Sequence, residues 1–366
     1  MAITRIGNPA LADVREPNFR NIIINGDMAV AQRATSTASI TSSGYYTLDR
    51  ARTAINNGGT WTQSQSTEVP TGQGFATSLK MDCTTADTSL SSGDYLHVQY
   101  PIEAQNLQYL KYGTDSAQTL TLSFWVRSNK TGTYCICLQK SDNTRYDYVA
   151  EYSISSADTW EKKTIIIAPD SNIKAAGGAI DNDSGEGLKL KFTLLSSGRT
   201  GTNNTWNSST PADATSNQVN LADSTSNEWY ITGVQLEAGS VASDFEVIPH
   251  GVNLQRCRRY YQVLIPSSGA NNGLGIGFSY STSQFQVSNT LNPVMRSTPT
   301  IDYESGSYYQ VQQGSGDVAS TTLATNISSE FLMHFNVTGG TYQGAGTAGV
   351  AFASSNSAFV AFSSEL

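Results

Sequence analysis

Apolar and polar residues alternate along much of the chain between residues 19 and 249. In TLTLSFWVRS, the aliphatic side chains and a phenylalanine share one face, while Trp125 and Arg127 fall on the other. In LKLKFTLL, Lys189 and Lys191 alternate with leucines. A period of two residues is typical of β-strands that have one buried face and one face in water. These segments are therefore predicted to be strands of half-exposed sheets.

Further runs with strand character follow at short intervals, namely YLHVQY, TYCICLQ, KKTIIIAP and EWYITGVQLEAG. Turn-forming stretches such as NNGG, DNDSGEG and SSGRTGTNN separate them. No long helical periodicity intervenes. The pattern predicts an all-β fold, and for residues 19–250 we predict a jelly-roll β-sandwich of about eight or more strands.

The first apolar run of this region is NIIINGD, and Gln32 and Arg33 follow it closely. Three consecutive isoleucines predict a strand, and a bend at residues 25–27 is expected to close it. Gln32 and Arg33 are expected to bond to backbone and carboxylate groups across the sandwich, with Asp49 as the partner of Arg33. The alternative is that Arg33 contacts a ligand.

The hydrophobic period changes at HGVNLQRCRRYYQVL, where Leu254, Cys257, Tyr261 and Leu264 recur at helical spacing. This stripe predicts a short linking helix over residues 251–265. A helix of this length is not stable alone, so it must pack against another surface. We predict that the four stripe residues contribute to a subunit interface. The alternative is that the helix bridges two domains of a monomer.

Residues 266–366 form a second predicted β domain, with strands at GLGIGFSYSTSQFQVS, SYYQVQQ, EFLMHFNVTG and SAFVAFSSEL. This region is rich in glycine and has few large residues, so its own core buries a modest area. We predict a smaller β-sandwich that associates as a homotrimer, which would also cover strand edges at FLMHFNV and AFVAF.

Residues 1–18 lack periodicity and are predicted to be an arm or a frayed segment.

The composition excludes several classes of protein. Only 14% of the 366 residues are charged, whereas 18 tyrosines, 12 phenylalanines and 5 tryptophans are present, which is unlike a disordered chain. The net charge of −8 argues against nucleic acid as a partner, because phosphate neutralisation needs clustered lysine and arginine. No apolar run reaches the ~20 residues that a membrane span needs, and no signal peptide is recognisable.

Candidate catalytic and metal-binding residues are sparse. The 3 histidines lie in different segments and no hydrolase, nucleotide-binding or zinc-protease motif occurs, so we expect no enzymatic activity. The 4 cysteines are poorly placed for bridges, and we expect no disulfides. No cofactor is expected, except that Asp181, Asp183 and Glu186 in DNDSGEG could bind Ca²⁺. The alternative is a solvated acidic turn without a metal.

Tryptophan side chains are the candidates for stacking on sugar rings. Trp160 and Trp229 lie in strand-like surroundings and are expected in the core. Trp206 lies in the polar loop GTNNTWNSST and is predicted to be exposed, as a receptor or subunit contact. Trp125, on the polar face of its strand, is the second candidate for a ligand contact.

Four segments together resemble bacteriophage tail-fibre and prophage virion proteins. NIIINGDMAVAQR followed by YYTLDR is similar to the opening motif of that family, although Ala51 stands where the family usually has tryptophan. GVQLEAG with RCRRYYQ, then NPVMRSTPTID, then AFVAFSSEL are similar to later segments of the family, in the same order. Their order and spacing carry the resemblance.

The resemblance implies a jelly roll similar to carbohydrate-binding modules, followed by a helix and a smaller β domain, in a trimer. We therefore predict a non-enzymatic structural protein of the virion, a tail fibre or similar appendage subunit, that binds a host-surface glycan. Residues 1–18 would contact other virion proteins. Two alternatives stay open, an adaptor that joins virion parts without touching a receptor and a free lectin-like carbohydrate-binding module, because a shared fold does not fix the ligand.

Overall fold

The computed structural model describes residues 19–208, 211–267, 269–314 and 316–366. The predicted arm, residues 1–18, lies outside the described residues. The described chain is nearly all β and forms a larger and a smaller sandwich. The strands of the larger sandwich are β1 (Ser36–Ile40), β2 (Gly44–Tyr45), β3 (Arg52–Asn56), β4 (Thr60–Ser66), β5 (Ser78–Thr85), β6 (Tyr95–Glu103), β7 (Leu120–Ser128), β8 (Gly132–Lys140), β9 (Tyr146–Ile154), β10 (Glu161–Ile167), β11 (Glu186–Ser196), β12 (Thr205–Asn207) and β13 (Glu228–Ala238).

These strands form two antiparallel sheets that face each other. Sheet A has the order β1-β4-β5-β13-β7-β10, and sheet B has the order β12-β9-β8-β11-β6-β3-β2. Strands that are distant along the chain are neighbours in both sheets, because the chain crosses repeatedly from one sheet to the other, as in a jelly roll. The predicted jelly-roll β-sandwich is confirmed.

The core of the larger sandwich follows the predicted alternation. Leu122 and Phe124 of β7, like Leu190 and Phe192 of β11, are fully buried between the sheets. The rings of Phe124 and Phe192 meet edge to face with 5.0 Å between centroids. Truncating one such buried ring to alanine typically costs ~3–5 kcal/mol. This aromatic layer therefore contributes strongly to the stability of the larger sandwich.

The isoleucines of NIIINGD do not form the predicted strand, because the chain turns at this point. Asn25 has a left-handed φ of 62°, which asparagine tolerates well. Its side-chain amide donates to the carbonyl of Val30 at 2.9 Å and accepts from the Val30 N–H at 2.9 Å. Ile22 donates its N–H to Leu236 of β13 at 2.8 Å. This run is apolar because Ile23 is buried against the core, and not because the segment pairs as a strand of a sheet.

The smaller sandwich contains a three-stranded sheet, sheet C, and a seven-stranded sheet, sheet D. Its strands are β14 (Tyr261–Ile265), β15 (Gly273–Ser281), β16 (Gln284–Thr290), β17 (Thr300–Tyr303), β18 (Tyr309–Gln313), β19 (Gly316–Ser320), β20 (Thr322–Thr325), β21 (Leu332–Thr338), β22 (Ala348–Ala353) and β23 (Val360–Ser363). Sheet C has the order β14-β23-β17, and sheet D has the order β19-β18-β22-β15-β16-β21-β20.

The two sheets of the smaller sandwich share one core that includes Phe285, Phe335 and Phe362. The predicted smaller β-sandwich is therefore confirmed. The expectation that FLMHFNV and AFVAF would be edge strands is wrong. Strand β21 pairs with β16 and β20, and β23 pairs with β14 and β17, so both strands already have neighbours on each side.

Helices are few and short. The described α-helices are α1 (Ser171–Lys174) and α2 (His250–Arg258), and single 3-10 segments lie at Ala104–Leu110, Ala176–Gly178 and Leu221–Asp223. The predicted helix over residues 251–265 is correct only in its first part.

The second part of the predicted helix is strand β14, which pairs with β23 in sheet C. Leu254 and Cys257 therefore lie on α2, whereas Tyr261 and Leu264 lie on β14, and the four residues do not form one stripe. Cys257 is 0% exposed and Tyr261 is 1% exposed within a single chain. The single helical stripe is wrong, because pairing with a strand about 100 residues away overrides the local helical period. Leu254 and Leu264 are partly exposed, and a subunit contact at these residues stays a prediction.

A cluster of charged residues joins the two sandwiches. Glu365 forms ion pairs with Arg33, at 3.2 Å, and with Arg50. The Arg33 guanidinium lies 3.5 Å from the ring centre of Tyr261, and that of Arg50 lies 3.6 Å from the ring centre of Tyr260. All of these groups come from the opening segment of the larger sandwich or from the smaller sandwich and its linker. The cluster lies directly behind the NIIINGD turn and connects it to the smaller sandwich.

The predicted partner of Arg33 is therefore wrong, since Arg33 pairs with Glu365 and not with Asp49. Asp49 instead accepts the backbone N–H of Gln32 at 3.0 Å, and the Gln32 side chain also donates to the carbonyl of Tyr261 at 2.8 Å. Local alternation indicates partners within one sandwich, whereas Gln32 and Arg33 also contact Tyr261 and Glu365 of the other.

A second ion pair fixes the same junction. Arg259 donates to both carboxylate oxygens of Glu103, at 2.6 and 2.9 Å, and the hydroxyl of Tyr260 donates to Glu103 at 2.8 Å. Buried ion pairs are costly unless their hydrogen bonds are satisfied, and the Glu103 carboxylate accepts hydrogen bonds on both of its oxygens. They favour one defined arrangement of the two sandwiches.

Candidate functional site

The outer face of sheet A presents aromatic and charged side chains in ordered rows. Strand register places Tyr230 of β13 between Lys80 of β5 and Arg127 of β7. In the next row, Trp125 of β7 lies opposite Lys162 of β10. Alternation explains this arrangement, because the neighbouring residues on each strand point into the core. We call this surface the sheet A platform, and it comprises Lys80, Trp125, Arg127, Trp160, Lys162, Glu228 and Tyr230.

The aromatic rings of the platform are held in place by their neighbours. Trp160, which lies directly before β10, packs against Tyr230 with 6.2 Å between ring centres. The Lys80 ammonium and the Arg127 guanidinium lie 5.4 and 4.9 Å from the centre of the Tyr230 ring. Trp125 and Trp160 are both partly exposed. The sheet thus offers two partly exposed aromatic rings on its β7–β10 side, beside the buried ring of Tyr230.

Glu228 organises the charges of the platform. It forms ion pairs with Lys80 at 2.8 Å and with Arg127 at 3.1 Å, and it accepts the hydroxyl proton of Tyr230 at 3.0 Å. Although burial raises the pKa of Glu228, the hydrogen bonds from Lys80 and Tyr230 bring it below its ordinary value. The carboxylate is therefore charged at neutral pH. The platform combines apolar ring faces with fixed hydrogen-bonding groups, which suits a flat ligand with many hydroxyls.

Trp125 lies on the polar face of β7, as the alternation predicted. Its role as a ligand contact stays a prediction. Trp160 was expected in the core, and this is wrong, since it is partly exposed and belongs to the platform. The signal that could have found it is the register of KKTIIIAP, which places Lys162 beside Trp125 and leaves Trp160 at the same end of the sheet.

Trp206 does not have the predicted exposed position. It is 2% exposed, its ring lies 5.3 Å from that of Tyr148, and its indole N–H donates to the carbonyl of Ala168 at 3.0 Å. The three-residue strand β12 pairs with β9 and carries this side chain inward. The polar residues around Trp206 suggested an exposed loop, but they do not determine the position of Trp206 itself.

The acidic turn does not gather its three carboxylates into one cluster. Asp183 caps its own turn by accepting the N–H of Gly185 at 2.8 Å. Glu186 pairs with Lys189 at 3.0 Å and accepts the hydroxyl proton of Ser141 at 2.6 Å, while Asp181 is exposed. Among the described residues, no group of three or more His, Cys, Asp or Glu side chains is arranged to hold a metal ion.

The outer face of sheet B is closed, in contrast to that of sheet A. The segment around Asp213 crosses it, and the fully buried Asp213 carboxylate pairs with Lys191 at 2.8 Å and with Arg199 at 2.5 Å. His97 lies 3.7 Å from the same carboxylate, and burial lowers the pKa of His97 to about 3. His97 is therefore neutral at ordinary pH, and this cluster is a structural support.

The four cysteines are free and buried, so the expectation of no disulfides is confirmed. Within the described residues, the helices are too short and too polar for any of them to cross a membrane.

No family model matches the sequence, and no curated protein matches it. Solved structures similar to this chain include the enzymatically active domain of a tailspike protein of bacteriophage CBA120, at 11% identity and a TM-score of 0.30, over 60% of this chain and 22% of that chain. A family 11 carbohydrate-binding module from Clostridium thermocellum, in complex with a mixed-linked tetrasaccharide, is similar at 13% identity and a TM-score of 0.27, over 57% of this chain and 98% of that chain.

This chain thus spans about a fifth of the tailspike domain it matches, 22% of its length. At these identities and TM-scores, the similarities assign neither a family nor a ligand to the chain. The resemblance of its four segments to tail-fibre proteins stays a prediction.

Proposed function

We propose that this protein is a non-enzymatic, carbohydrate-binding structural subunit of a phage appendage, and that its jelly roll binds a glycan of the host surface on the sheet A platform. The observation that carries the proposal is the pair of partly exposed rings, Trp125 and Trp160, on the open outer face of sheet A, where Trp160 packs against Tyr230. Aromatic faces stack on the C–H faces of sugar rings and add binding energy beyond the area buried.

The charged members of the platform support the same proposal. Lys80, Arg127 and Glu228 are held by mutual ion pairs, so their remaining hydrogen-bonding positions point in fixed directions. Fixed donors and acceptors lose little entropy when a ligand binds. Each hydroxyl group of a sugar can accept from the donors and donate to the acceptor of the platform. The mixture of positive and negative groups suits a neutral glycan better than a strongly charged one.

A polysaccharide-binding assay tests this proposal. Purified protein is applied to an array of bacterial surface glycans, and the variants Trp125→Ala and Trp160→Ala are compared with Phe331→Ala, which removes a ring that is 56% exposed and outside the platform. The platform variants should lose affinity by about tenfold or more, whereas the control keeps it. If all three variants bind glycans with the same affinity as the wild type, the platform is not the binding site.

The role in a virion rests on the resemblance of the four sequence segments. Locating the chain in purified particles by mass spectrometry and antibody labelling tests it, and absence from particles would contradict it. If antibodies against the platform block adsorption to cells, the chain is a receptor-binding subunit. If the chain is present but antibodies have no effect, the adaptor is the better description. Glycan binding without any particle would favour the free lectin-like module.

We further propose that the chain forms the predicted homotrimer through a different surface, the outer face of sheet D. Ile276, Phe278 and Tyr280 of β15 are 76%, 45% and 63% exposed, and Val350 of β22, opposite Ile276, is 41% exposed. Contiguous exposed apolar side chains at a sheet centre are typical of protein interfaces.

Charge supports a second copy of the chain as the occupant of this face. The residues paired with Phe278 and Val350 on neighbouring strands are the uncharged Gln286 and Gln312. Copies of a chain with a net charge of −8 repel each other over most of their surface, and this face lets them meet without burying like charges. Sedimentation at micromolar concentration tests the proposal, and a single species at the monomer mass of 39.2 kDa would contradict it.

A further inference from the structure

A cleft of about 440 Å³ lies where α2 and the turn at residues 21–24 meet strand β6. Ile22 and Ile102 form part of its apolar wall, and Gln105, Asn106 and Arg256 bring amide and guanidinium groups to it. This volume falls in the range of about 300–1,000 Å³ that is common for small-molecule sites. The cleft is on a different part of the molecule from the sheet A platform.

The charges in this cleft are not balanced. Arg259 is paired with Glu103, and Arg50 is paired with Glu365, so these two arginines already have anionic partners. Among the described residues, no carboxylate lies within ion-pair distance of Arg256. The cleft therefore presents one positive charge that none of the described residues neutralises in an ion pair.

The surroundings of Arg256 disfavour an unpaired charge. Its guanidinium donates one long bond, of 3.4 Å, to the carbonyl of Asn21, and it lies 5.5 Å from the centre of the Phe19 ring. Burial lowers the pKa of Arg256, although Glu246 acts in the opposite direction from beyond pairing distance. The Glu246 carboxylate accepts the backbone N–H groups of Arg20 and Asn21 instead. A ligand anion would replace the water that Arg256 has lost.

The remaining walls indicate the rest of the ligand. The rings of Phe19 and Tyr109 are 57% and 47% exposed where they line the cleft. We infer that the cleft is a second binding site, which takes a carboxylate-bearing sugar of the hexuronate class. Its carboxylate pairs with Arg256, its hydroxyls bond to Gln105 and Asn106, and its ring lies against the exposed aromatic side chains.

This inference does not rest on glycan binding at the platform, and the two sites are separable by experiment. The full chain is titrated with D-glucuronate, and D-glucose serves as the neutral analogue, with binding followed by ligand-observed NMR. Arg256→Gln should weaken glucuronate binding by about tenfold, the scale of a lost charge-assisted hydrogen-bonded pair. Arg258→Gln, on the same helix but outside the cleft, and Trp125→Ala should leave glucuronate binding unchanged.

A second variant guards against a folding defect in Arg256→Gln. Asn106→Trp keeps Arg256 and changes an exposed residue of the cleft wall, so it should block the cleft and abolish binding while the thermal midpoint stays at the wild-type value. The inference is overturned if wild-type protein does not bind glucuronate at millimolar concentration, if glucose binds equally well, or if Arg256→Gln and Asn106→Trp both bind as the wild type does.

Discussion

The two sandwiches bury polar groups in different ways. The larger one contains an extensive set of buried or half-buried ion pairs, including those of Asp213 and Glu228, beneath or beside its sheets. The smaller one, over residues 266–366, has Arg296 as its only lysine or arginine, and it fills its polar face with glutamine, serine and threonine. It also leaves apolar side chains such as Ile276 in water.

This difference indicates that one sandwich is built to hold a single packing of the chain and the other to associate with a second copy. Buried charges that are fully paired favour one packing of a chain, because every alternative leaves a charge without a partner. A nearly uncharged sheet face imposes no such restriction, and it can meet a second copy with little desolvation cost. The larger sandwich is therefore suited to displaying a precise surface, and the smaller one is suited to assembly.

The largest effect is expected from breaking the buried cluster of the larger sandwich. Asp213→Ala leaves Lys191, which is 3% exposed, without its anion. Removing one partner of a buried pair typically costs ~3–5 kcal/mol in the free energy of unfolding. Denaturant unfolding measures the loss, with Asp317→Ala, an exposed change in the smaller sandwich, as a control that should stay within about 0.5 kcal/mol. A loss below that value for Asp213→Ala would contradict a stabilising role for the cluster.

A smaller loss is expected from the junction between the sandwiches. Glu365→Gln removes the negative charge that Arg33 and Arg50 share, and we expect a cost of about 2–3 kcal/mol because both arginines remain largely buried. The unfolding of the two sandwiches should then separate into two calorimetric transitions. Glu304→Gln, at an exposed site, is the control. A single unshifted transition in the Glu365 variant would show that the ion pairs do not couple the sandwiches.

A pH-dependent effect of similar or smaller size is expected at Asp49. Burial raises the pKa of Asp49 from 3.8 to about 6. Because the folded-state pKa is the higher one, the stability that this carboxyl contributes is fully present below about pH 4 and is lost as the pH rises through about 6. Asp49→Asn cannot titrate but still offers an acceptor to Gln32.

The difference in free energy of unfolding between wild type and Asp49→Asn should therefore shift by about 1–3 kcal/mol from pH 4 to pH 7, with the wild type relatively more stable in acid. Urea unfolding at several pH values measures this shift. Parallel stability profiles for the two proteins would mean that Asp49 has an ordinary pKa in the folded chain.

The smallest effect on stability, and a large one on assembly, is expected from Ile276→Glu on the outer face of sheet D. The side chain is 76% exposed, so the free energy of unfolding of the monomer should change by no more than about 0.5 kcal/mol. Association should be lost, because three copies would bring like charges together. Thr322→Glu, at another exposed position of sheet D, is the matched control. Equal sedimentation of both variants with the wild type would place the interface elsewhere.

The sequence predicted the strands of both sandwiches because alternation is a local property. The faces of β7 and β11 followed directly from it, and so did the outward position of Trp125. The predicted helix failed beyond Arg258, since the pairing of Tyr261 with Ser363 is decided by residues far along the chain.

The site was less predictable than the fold for the same reason. Trp160 joins the platform through its packing on Tyr230, and Trp206 is buried through the pairing of β12 with β9. The composition of the surrounding loops predicts neither the packing of Trp160 nor the pairing of β12. The partner of Arg33 could not be deduced, because nothing in the local pattern shows that a residue of the second sandwich reaches the first.

The ion pair of Arg33 with Glu365 also sets an order of events during synthesis. The two residues are 332 positions apart, and translation at ~5–20 residues per second separates their appearance by tens of seconds. Until then Arg33 and Arg50 lack this anion, and we expect them to stay hydrated at the surface of the larger sandwich. Because N-terminal domains generally fold first during synthesis, we expect the smaller sandwich to dock on a preformed partner when Glu365 is made.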